Sequence, residues 1–453
     1  MTDTTSALSL TAVVLGAGLG TRMKSKTPKV LHKVAGRPMI NHLLAAVETL
    51  DPDQAVVVIG PEATDVADAV APYPTVIQHD RLGTGHAVRA ARDWLSKAQG
   101  TVLVLFGDSP LIRPETLKAL ADRRAEDDNP AVVVLGFTPA DPGAYGRLIT
   151  DGAGHLLRIV EAKDASAEEA KVGLCNSGVM ALDAKVAVDL LDRIGNDNAK
   201  GEYYLTDAVG LAVGDGRICA VVEASEEETL GVNSRVELAT AEAIIQSRLR
   251  EAAMLGGATL TDPESVFFSF DTTLGQDVEI GPNVFFGPGV TVGNDVAIKA
   301  FCHLEGATLG NGSVIGPYAR LRPGAELAED VRIGNFVEVK KSVIEPGAKV
   351  NHLTYIGDAE IGAGANIGAG TITCNYDGYN KSRTVIGKGA FIGSNSALVA
   401  PVTIGDGAIV GAGSAIARDV PADALAVTRE KQLEVKGWAA RFRNTQLAKK
   451  SKS

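Results

Sequence analysis

No apolar stretch in the sequence approaches the roughly 20 residues that a membrane-spanning helix requires. No basic region precedes the first apolar run, "LTAVVL", which stops at a glycine turn, so no secretory signal is expected. Positive charge is also short. Against 55 Asp and Glu there are 44 Lys and Arg, a net of −11, which argues against general affinity for nucleic acid or anionic membranes. A few basic residues focused in one cleft can still hold an anionic small molecule. The four cysteines, Cys175, Cys219, Cys302 and Cys374, are far apart and form no CxxC or Cys/His metal spacing, so reduced thiols and a cytoplasmic location are expected. The seven histidines likewise form no metal-ligand spacing.

Glycine, by contrast, is abundant, at 50 of 453 residues. A chain of this length exceeds one compact core, so two or more domains are expected. Residues 1–235 alternate apolar runs ("TAVVLG", "QAVVVIG", "TVLVLFGD", "AVVVLGF") with helical patterns. The runs suit strands buried on both faces, and the alternation predicts an α/β, Rossmann-like parallel sheet covered on both sides. "PMINHLLAAVETL", "TGHAVRAARDWLSKA" and "PETLKALADRRA" read as helices, and "RLITDGAGHLLRIVE" as a hairpin with a DG turn. Residues 236–256 read as one helix linking the halves.

From residue 257 to 453 the period becomes six. Written from Gln276, "QDVEIG PNVFFG PGVTVG NDVAIK AFCHLE" puts Val278, Val284, Val290 and Val296 at the third place and Ile280, Phe286, Val292, Ile298 and Leu304 at the fifth. The register slips near Glu305 and resumes in "NGSVIG", "AGANIG" and "KGAFIG". Hexapeptide periodicity predicts a parallel β-helix, with branched residues inward and small residues at the corners.

"LGAGLGTRMKSKTPK", Leu15 to Lys29, fits neither the GxxxxGK[ST] loop nor GxGxxG. Glycines nevertheless let backbone N–H groups approach a phosphate, and Arg22 and Lys29 could neutralise one. A tight strand-to-helix turn with two solvated cations fits the glycines equally well. Asp108, in "FGDSPLI", falls at the end of a buried strand, where ligands of open α/β sheets bind; a carboxylate there suits Mg²⁺, and it also suits a helix N-cap. Asn233, in "GVNS", could add a second oxygen ligand or simply make a turn. In the β-helix, Arg322, Lys340 and Lys341 are cations among mostly neutral or acidic outward positions; they could bind a sugar phosphate or keep strand edges soluble. His352 stands where the repeat breaks, and a lone histidine is more often structural than catalytic.

In chain order, "LGAGLGTRMKSKTPKVLH", "QHDRLGTGHAV", "FGDSPLI", "YGRL", "IVEAKDA", "NSGV" and "LGVNSR" resemble the motifs of sugar-1-phosphate nucleotidyltransferases. Nearly end to end, the chain resembles the bifunctional bacterial N-acetylglucosamine-1-phosphate uridyltransferase/glucosamine-1-phosphate N-acetyltransferase family. Gly16 departs from the alanine more usual there. The resemblance implies a left-handed β-helix behind a nucleotidyltransferase domain. It implies that Leu15, Gly16, Ala17, Gly18, Gln78, Gly83 and Thr84 cradle UTP, with Lys29 and Arg22 on its phosphates. Gly146, Glu161 and Asn176 would hold N-acetylglucosamine, and Asp108 with Asn233 would bind Mg²⁺. The sugar phosphate's own anionic oxygen attacks the α-phosphorus in such a reaction, so alignment and charge neutralisation suffice without a general base.

"NHLTYIGDAEIGAGANIGAGTITCNYDG" resembles the acetyltransferase signature of the same family. This implies His352 as general base toward the glucosamine amine, since an attacking amine must lose a proton and imidazole titrates in the right range. Arg322, Lys340, Tyr355 and Asn366 would bind the amino-sugar phosphate. Ala369, Asn375, Tyr376, Ser394, Ala412 and Arg429 would line the acetyl-CoA site. Homotrimers whose acetyl site draws on neighbouring chains are implied too. Two other readings are a nucleotidyltransferase alone, with the solenoid as trimerisation or regulatory scaffold, and a non-enzymatic regulatory subunit of the same layout. The intact "NHLTY…NYDG" block argues against the first, and the joint presence of Arg22, Lys29, Asp108 and His352 against the second. The basic C-terminal "RFRNTQLAKKSKS" reads as a solvated tail.

Overall fold

The computed structural model describes residues 9–198 and 200–450. The chain divides between Glu251 and Ala252 into two compact units.

In the first unit the main sheet runs, in spatial order, Cys219–Ala224, Val132–Phe137, Cys175–Asp183, Thr101–Phe106, Leu10–Leu15, Gln54–Ile59 and Thr75–Ile77. Leu10–Leu15 and Val132–Phe137 are buried along their whole length, because helices cover both faces. Successive residues feed opposite cores: Val13 and Val104 pack with Leu190 on one side, Val14 and Leu103 with Leu43 and Leu117 on the other.

The sheet is mixed, a correction to the parallel sheet expected from the strand–helix alternation. Cys175–Asp183 runs antiparallel to both neighbours, with Met180 opposite Val104 and Val134. A parallel return needs a helical crossover. The segment leading to this strand instead folds as the antiparallel hairpin of Arg147–Thr150 and Leu156–Val160. The helical pattern from Thr84 is also divided, into Thr84–Ala90 and Arg92–Leu95, at Ala91, whose φ of −87° and ψ of 15° leave the α-helical region. A further helix runs Arg235–Leu255. Its Leu238, Ala241, Ile244 and Ile245 pack with Val34, Met39, Leu111 and Val232 of the first unit.

The second unit is a left-handed parallel β-helix of three sheets, whose strands are mostly two or three residues long. Val278, Val284, Val290 and Val296, and Ile280, Phe286, Val292, Ile298 and Leu304, are all buried, so both apolar places of the six-residue period point inward. Glu279 pairs Ala297 and Ala297 pairs Val314, a rung one residue shorter, which is the slip near Glu305. The larger break separates Asn366 from its partner Phe391, because residues 375–383 leave the rung as a loop. The helix Trp438–Lys450 is exposed, and Ser451, Lys452 and Ser453 of the basic tail lie outside the described residues. Among the described residues no helix is long and apolar enough to cross a membrane.

Candidate functional sites

The first site forms where three parallel strands end side by side. Leu15 closes its strand, and Gly16 donates from its backbone to Val58 O of the next strand at 2.7 Å. Gly20 then turns with φ 60°, and a Cβ there would come within 2.5 Å of Lys29 Cβ, so the turn needs glycine both for its backbone and for the approach of Lys29. At Gly18 a Cβ would meet nothing within 4 Å, which leaves room above the turn. The cleft, about 330 Å³, is lined by Leu15, Ala17, Gly18, Lys29, Gln78, Gly83, Thr84 and Asp108, together with Arg81, Phe106, Glu202 and Tyr204.

Lys29, Asp108 and Asn233, far apart in sequence, meet here. The Lys29 ammonium is ion-paired with Asp108 Oδ2 and donates to Asn233 Oδ1 at 2.9 Å. Asn233 is held in turn: its backbone N–H donates to Glu237 Oε2 at 2.7 Å and its Nδ2 to Gly231 O at 3.2 Å, which leaves Oδ1 facing the cation. Asp108 O accepts from Val232 N at 2.9 Å, fixing that loop to the strand end. Asp108 does not cap the following helix, whose N-cap is Arg113. Two side-chain oxygens converging on one cation fit Mg²⁺, which is commonly held by one or two protein oxygens plus substrate phosphates. Among the described residues no group of three or more His, Cys, Asp or Glu is arranged for a metal.

Gln78 is buried and donates from Nε2 to Gly83 O at 3.2 Å, and Thr84 Oγ1 accepts from Leu205 N at 3.1 Å, so the 78–84 loop is fixed at both ends. Gly146 and Asn176 are joined by Asn176 N to Gly146 O at 2.8 Å. Glu161 lines an adjoining cleft with Lys163, Asn198 and Asp207, and Tyr204 forms a wall of both clefts. Arg22 is not brought in. It is exposed on the short turn Thr21–Met23 and does not line this cleft.

On the β-helix, His352 is the exposed last residue of its strand, Lys349–His352, in register with Asn335 one rung away. The imidazole Nδ1 lies 2.9 Å from Asn335 Oδ1. With that amide accepting, Nδ1 carries the hydrogen and Nε2 is left as the basic nitrogen. Arg322 donates to Glu338 Oε1 at 2.8 Å, and that bond raises the guanidinium further above its ordinary value. Lys340 and Tyr355 lie on neighbouring rungs of the same sheet, with the Tyr355 hydroxyl over Gly357. Asn366 is in register with Lys349, at the other end of the strand from His352.

The remaining residues fall at two separate corners. Ala369, Ser394 and Ala412 stand on successive rungs, their carbonyls accepting from Asn395 N, Gly413 N and Arg429 Nη1 at 2.7, 2.8 and 2.6 Å. Asn375 and Tyr376 begin the inserted loop across the intervening sheet, where Asn375 Nδ2 donates to Asp358 Oδ2 at 2.5 Å. A cleft beside Asp358 is also lined by Lys341, Lys381 and Arg383. Lys381 and Arg383 come from the inserted loop "NYDGYNKSR", and the Arg383 guanidinium is ion-paired with the Glu360 carboxylate.

This combination defines a class: a glycine-turn nucleotidyltransferase domain joined to a hexapeptide-repeat transferase domain. Residues 12–167 match the MobA-like NTP transferase domain, and residues 271–306, 306–341 and 383–418 match the bacterial transferase hexapeptide repeat. The chain is 66% identical over 432 residues to the bifunctional protein GlmU of Rhodospirillum rubrum, covering 95% of this chain and 97% of that one. It is 61% identical over 444 residues to the GlmU protein of Paramagnetospirillum magneticum, covering 98% of each. With the protein of the same name from Azorhizobium caulinodans the identity is 59%, covering 96% of this chain and 97% of that one. The chain belongs to the bifunctional GlmU family, and it is an enzyme with a nucleotidyltransferase and an acetyltransferase activity.

Proposed function

We infer that the second unit acetylates glucosamine 1-phosphate with acetyl-CoA, and that the first couples the product to UTP, giving UDP-N-acetylglucosamine for cell-envelope polysaccharide in the cytoplasm. The observation that carries the nucleotidyl half is the meeting of Lys29, Asp108 and Asn233 at the mouth of a glycine-turn cleft.

In that half, Leu15 to Gly18 and the 78–84 loop hold the nucleotide, while Gly146, Glu161 and Asn176 hold the sugar. A phosphate oxygen of the sugar forms the new bond to the α-phosphorus, and the bond to the departing pyrophosphate breaks. Lys29 neutralises charge on the phosphates. Mg²⁺, when bound by Asp108 and Asn233, supplies the remaining positive charge on the triphosphate.

In the acetyl half, His352 Nε2 takes the proton from the glucosamine amine as nitrogen attacks the thioester carbonyl. The N–C bond forms, the C–S bond breaks and coenzyme A leaves. Arg322, Lys340, Tyr355 and Asn366 hold the sugar phosphate. The split of Ala369, Ser394, Ala412 and Arg429 from Asn375 and Tyr376 across two corners supports an acetyl-CoA site completed between chains of a homotrimer.

The test is pyrophosphate release from UTP plus N-acetylglucosamine 1-phosphate, with and without Mg²⁺. Metal-dependent release supports the reading, and no release with Mg²⁺ present contradicts it.

A further inference from the structure

Arg81 sits in the loop that carries Gln78, Gly83 and Thr84, yet its side chain reaches the other nucleotide loop. Its Nε donates to Ala17 O, in the glycine turn, at 2.9 Å. The guanidinium lies over Gly60, the residue that ends the strand Gln54–Ile59 between the two loops. A Cβ at Gly60 would come 2.5 Å from Arg81 Nη2 and 3.5 Å from its Cζ, while the nearest other atom, Ala17 O, is 3.9 Å away. Gly60 is not among the positive-φ glycines. What an alanine there would displace is therefore Arg81 and little else.

The Nε–Ala17 bond leaves the two terminal nitrogens of the fork. Among the described residues neither has a protein hydrogen-bond partner, and Arg81 lines the same cleft as Lys29 and Gln78. A planar guanidinium can hold a carbonyl with one edge and present the other to a ligand; an ammonium cannot.

We propose that Arg81 is a positioning residue for the nucleoside triphosphate, clamping the Ala17 turn to the 78–84 loop, and that Gly60 is glycine to make room for it. This rests on the cleft being the UTP site. Arg81 acts through the two loops and does not touch the reacting phosphorus, so its loss weakens nucleotide binding and spares the chemical step. A clamp of this kind differs from a stabilising surface arginine in what it changes: the Michaelis constant for one substrate of two.

The experiment is steady-state kinetics of uridylyl transfer on the full-length enzyme as native chain, Arg81→Ala, Arg81→Lys, Gly60→Ala and the double variant Gly60→Ala/Arg81→Ala. Urea unfolding of the same preparations, together with an unchanged kcat for uridylyl transfer, reports folding of the first unit, which holds Arg81 and Gly60. Losing one charge-assisted hydrogen bond predicts a KM for UTP raised about 10–100-fold in Arg81→Ala, with kcat and the KM for N-acetylglucosamine 1-phosphate unchanged. Arg81→Lys recovers part of the loss. Gly60→Ala reproduces it, and the double variant is no worse than Arg81→Ala alone, because both changes remove one interaction. An unchanged KM for UTP in Arg81→Ala overturns the proposal, as does a double variant whose losses multiply. A native enzyme that turns over no UTP overturns the underlying site assignment as well.

Discussion

The Lys29 ammonium and the Asp108 carboxylate form an ion pair although 79 residues separate them, with side chains 12% and 18% exposed. The pair links the glycine turn to the end of the neighbouring strand, and both of its members line the cleft. Removing either partner also strands the other, partly desolvated, without its counter-charge.

Lys29→Ala is therefore expected to lower kcat for uridylyl transfer by about 10²–10³, the usual loss when one preorganised group facing developing charge is removed. Arg22→Ala should cost much less, since Arg22 is exposed and outside the cleft. Pyrophosphate release under saturating substrates checks both. Equal losses would place Arg22 on the phosphates after all.

Asn335 sets the tautomer of His352 through the 2.9 Å contact to Nδ1. His352→Ala should lower acetyl transfer by about 10²–10⁴. Asn335→Ala should cost about 1 kcal/mol of transition-state stabilisation, severalfold in kcat, and leave KM for acetyl-CoA unchanged. Coenzyme A release measured across substrate concentrations separates the two effects.

If the acetyl-CoA site is completed between chains, two inactive variants should complement each other. His352→Ala and Tyr376→Ala chains, each inactive in acetyl transfer alone, are expected to regain activity when co-expressed and purified as mixed oligomers. Mixed oligomers without activity would put both residues in one chain's site.

The β-helix core gives a stability prediction. Phe286 is 1% exposed and stacks on Phe268 with ring centroids 4.9 Å apart. Phe286→Ala should destabilise the second unit by about 3–5 kcal/mol in urea unfolding. Each rung of a solenoid contacts chiefly its neighbours, so uridylyl transfer by the first unit should persist.

His42 gives a pH dependence. Burial pushes its imidazole below the ordinary value and Arg37 adds to this, against opposing effects of the Val34 carbonyl, 2.8 Å from Nε2, and the Glu242 carboxylate. The unfolded chain then binds more protons than the folded one as pH falls past about 6.5, so stability is full above that value and is lost toward the lower folded-state pKa. His42→Gln, which does not titrate, should show a shallower loss of urea resistance on acidification. An unchanged slope would assign the acid sensitivity elsewhere.

The sequence made some of this legible and hid the rest for physical reasons. A six-residue period is a local property, so it places Val278 to Leu304 inside the β-helix without any long-range information. The strand Cys175–Asp183 was harder. An apolar run buried on both faces looks alike in either direction, so its antiparallel sense had to come from the hairpin before it. For Asp108 and Asn233 the residues alone leave a metal role and a cap or turn role both open, since the cation they share depends on three segments meeting. Arg22 looked as useful as Lys29 because both follow the same glycines. Only the left-handed turn at Gly20, closed against Lys29, sets one inward and leaves the other exposed. Arg81 carried no signal at all: an arginine in a polar loop reads as solvated until its reach to Ala17 is seen.

The central claim, two chemistries on two separate units, is tested most directly by measuring both activities in the same preparations of native, Asp108→Asn and His352→Ala enzyme. Pyrophosphate release from UTP plus N-acetylglucosamine 1-phosphate should collapse only in Asp108→Asn. Coenzyme A release from acetyl-CoA plus glucosamine 1-phosphate should collapse only in His352→Ala. A native chain that makes UDP-N-acetylglucosamine but releases no coenzyme A, or a single substitution that abolishes both activities in a folded protein, would contradict it.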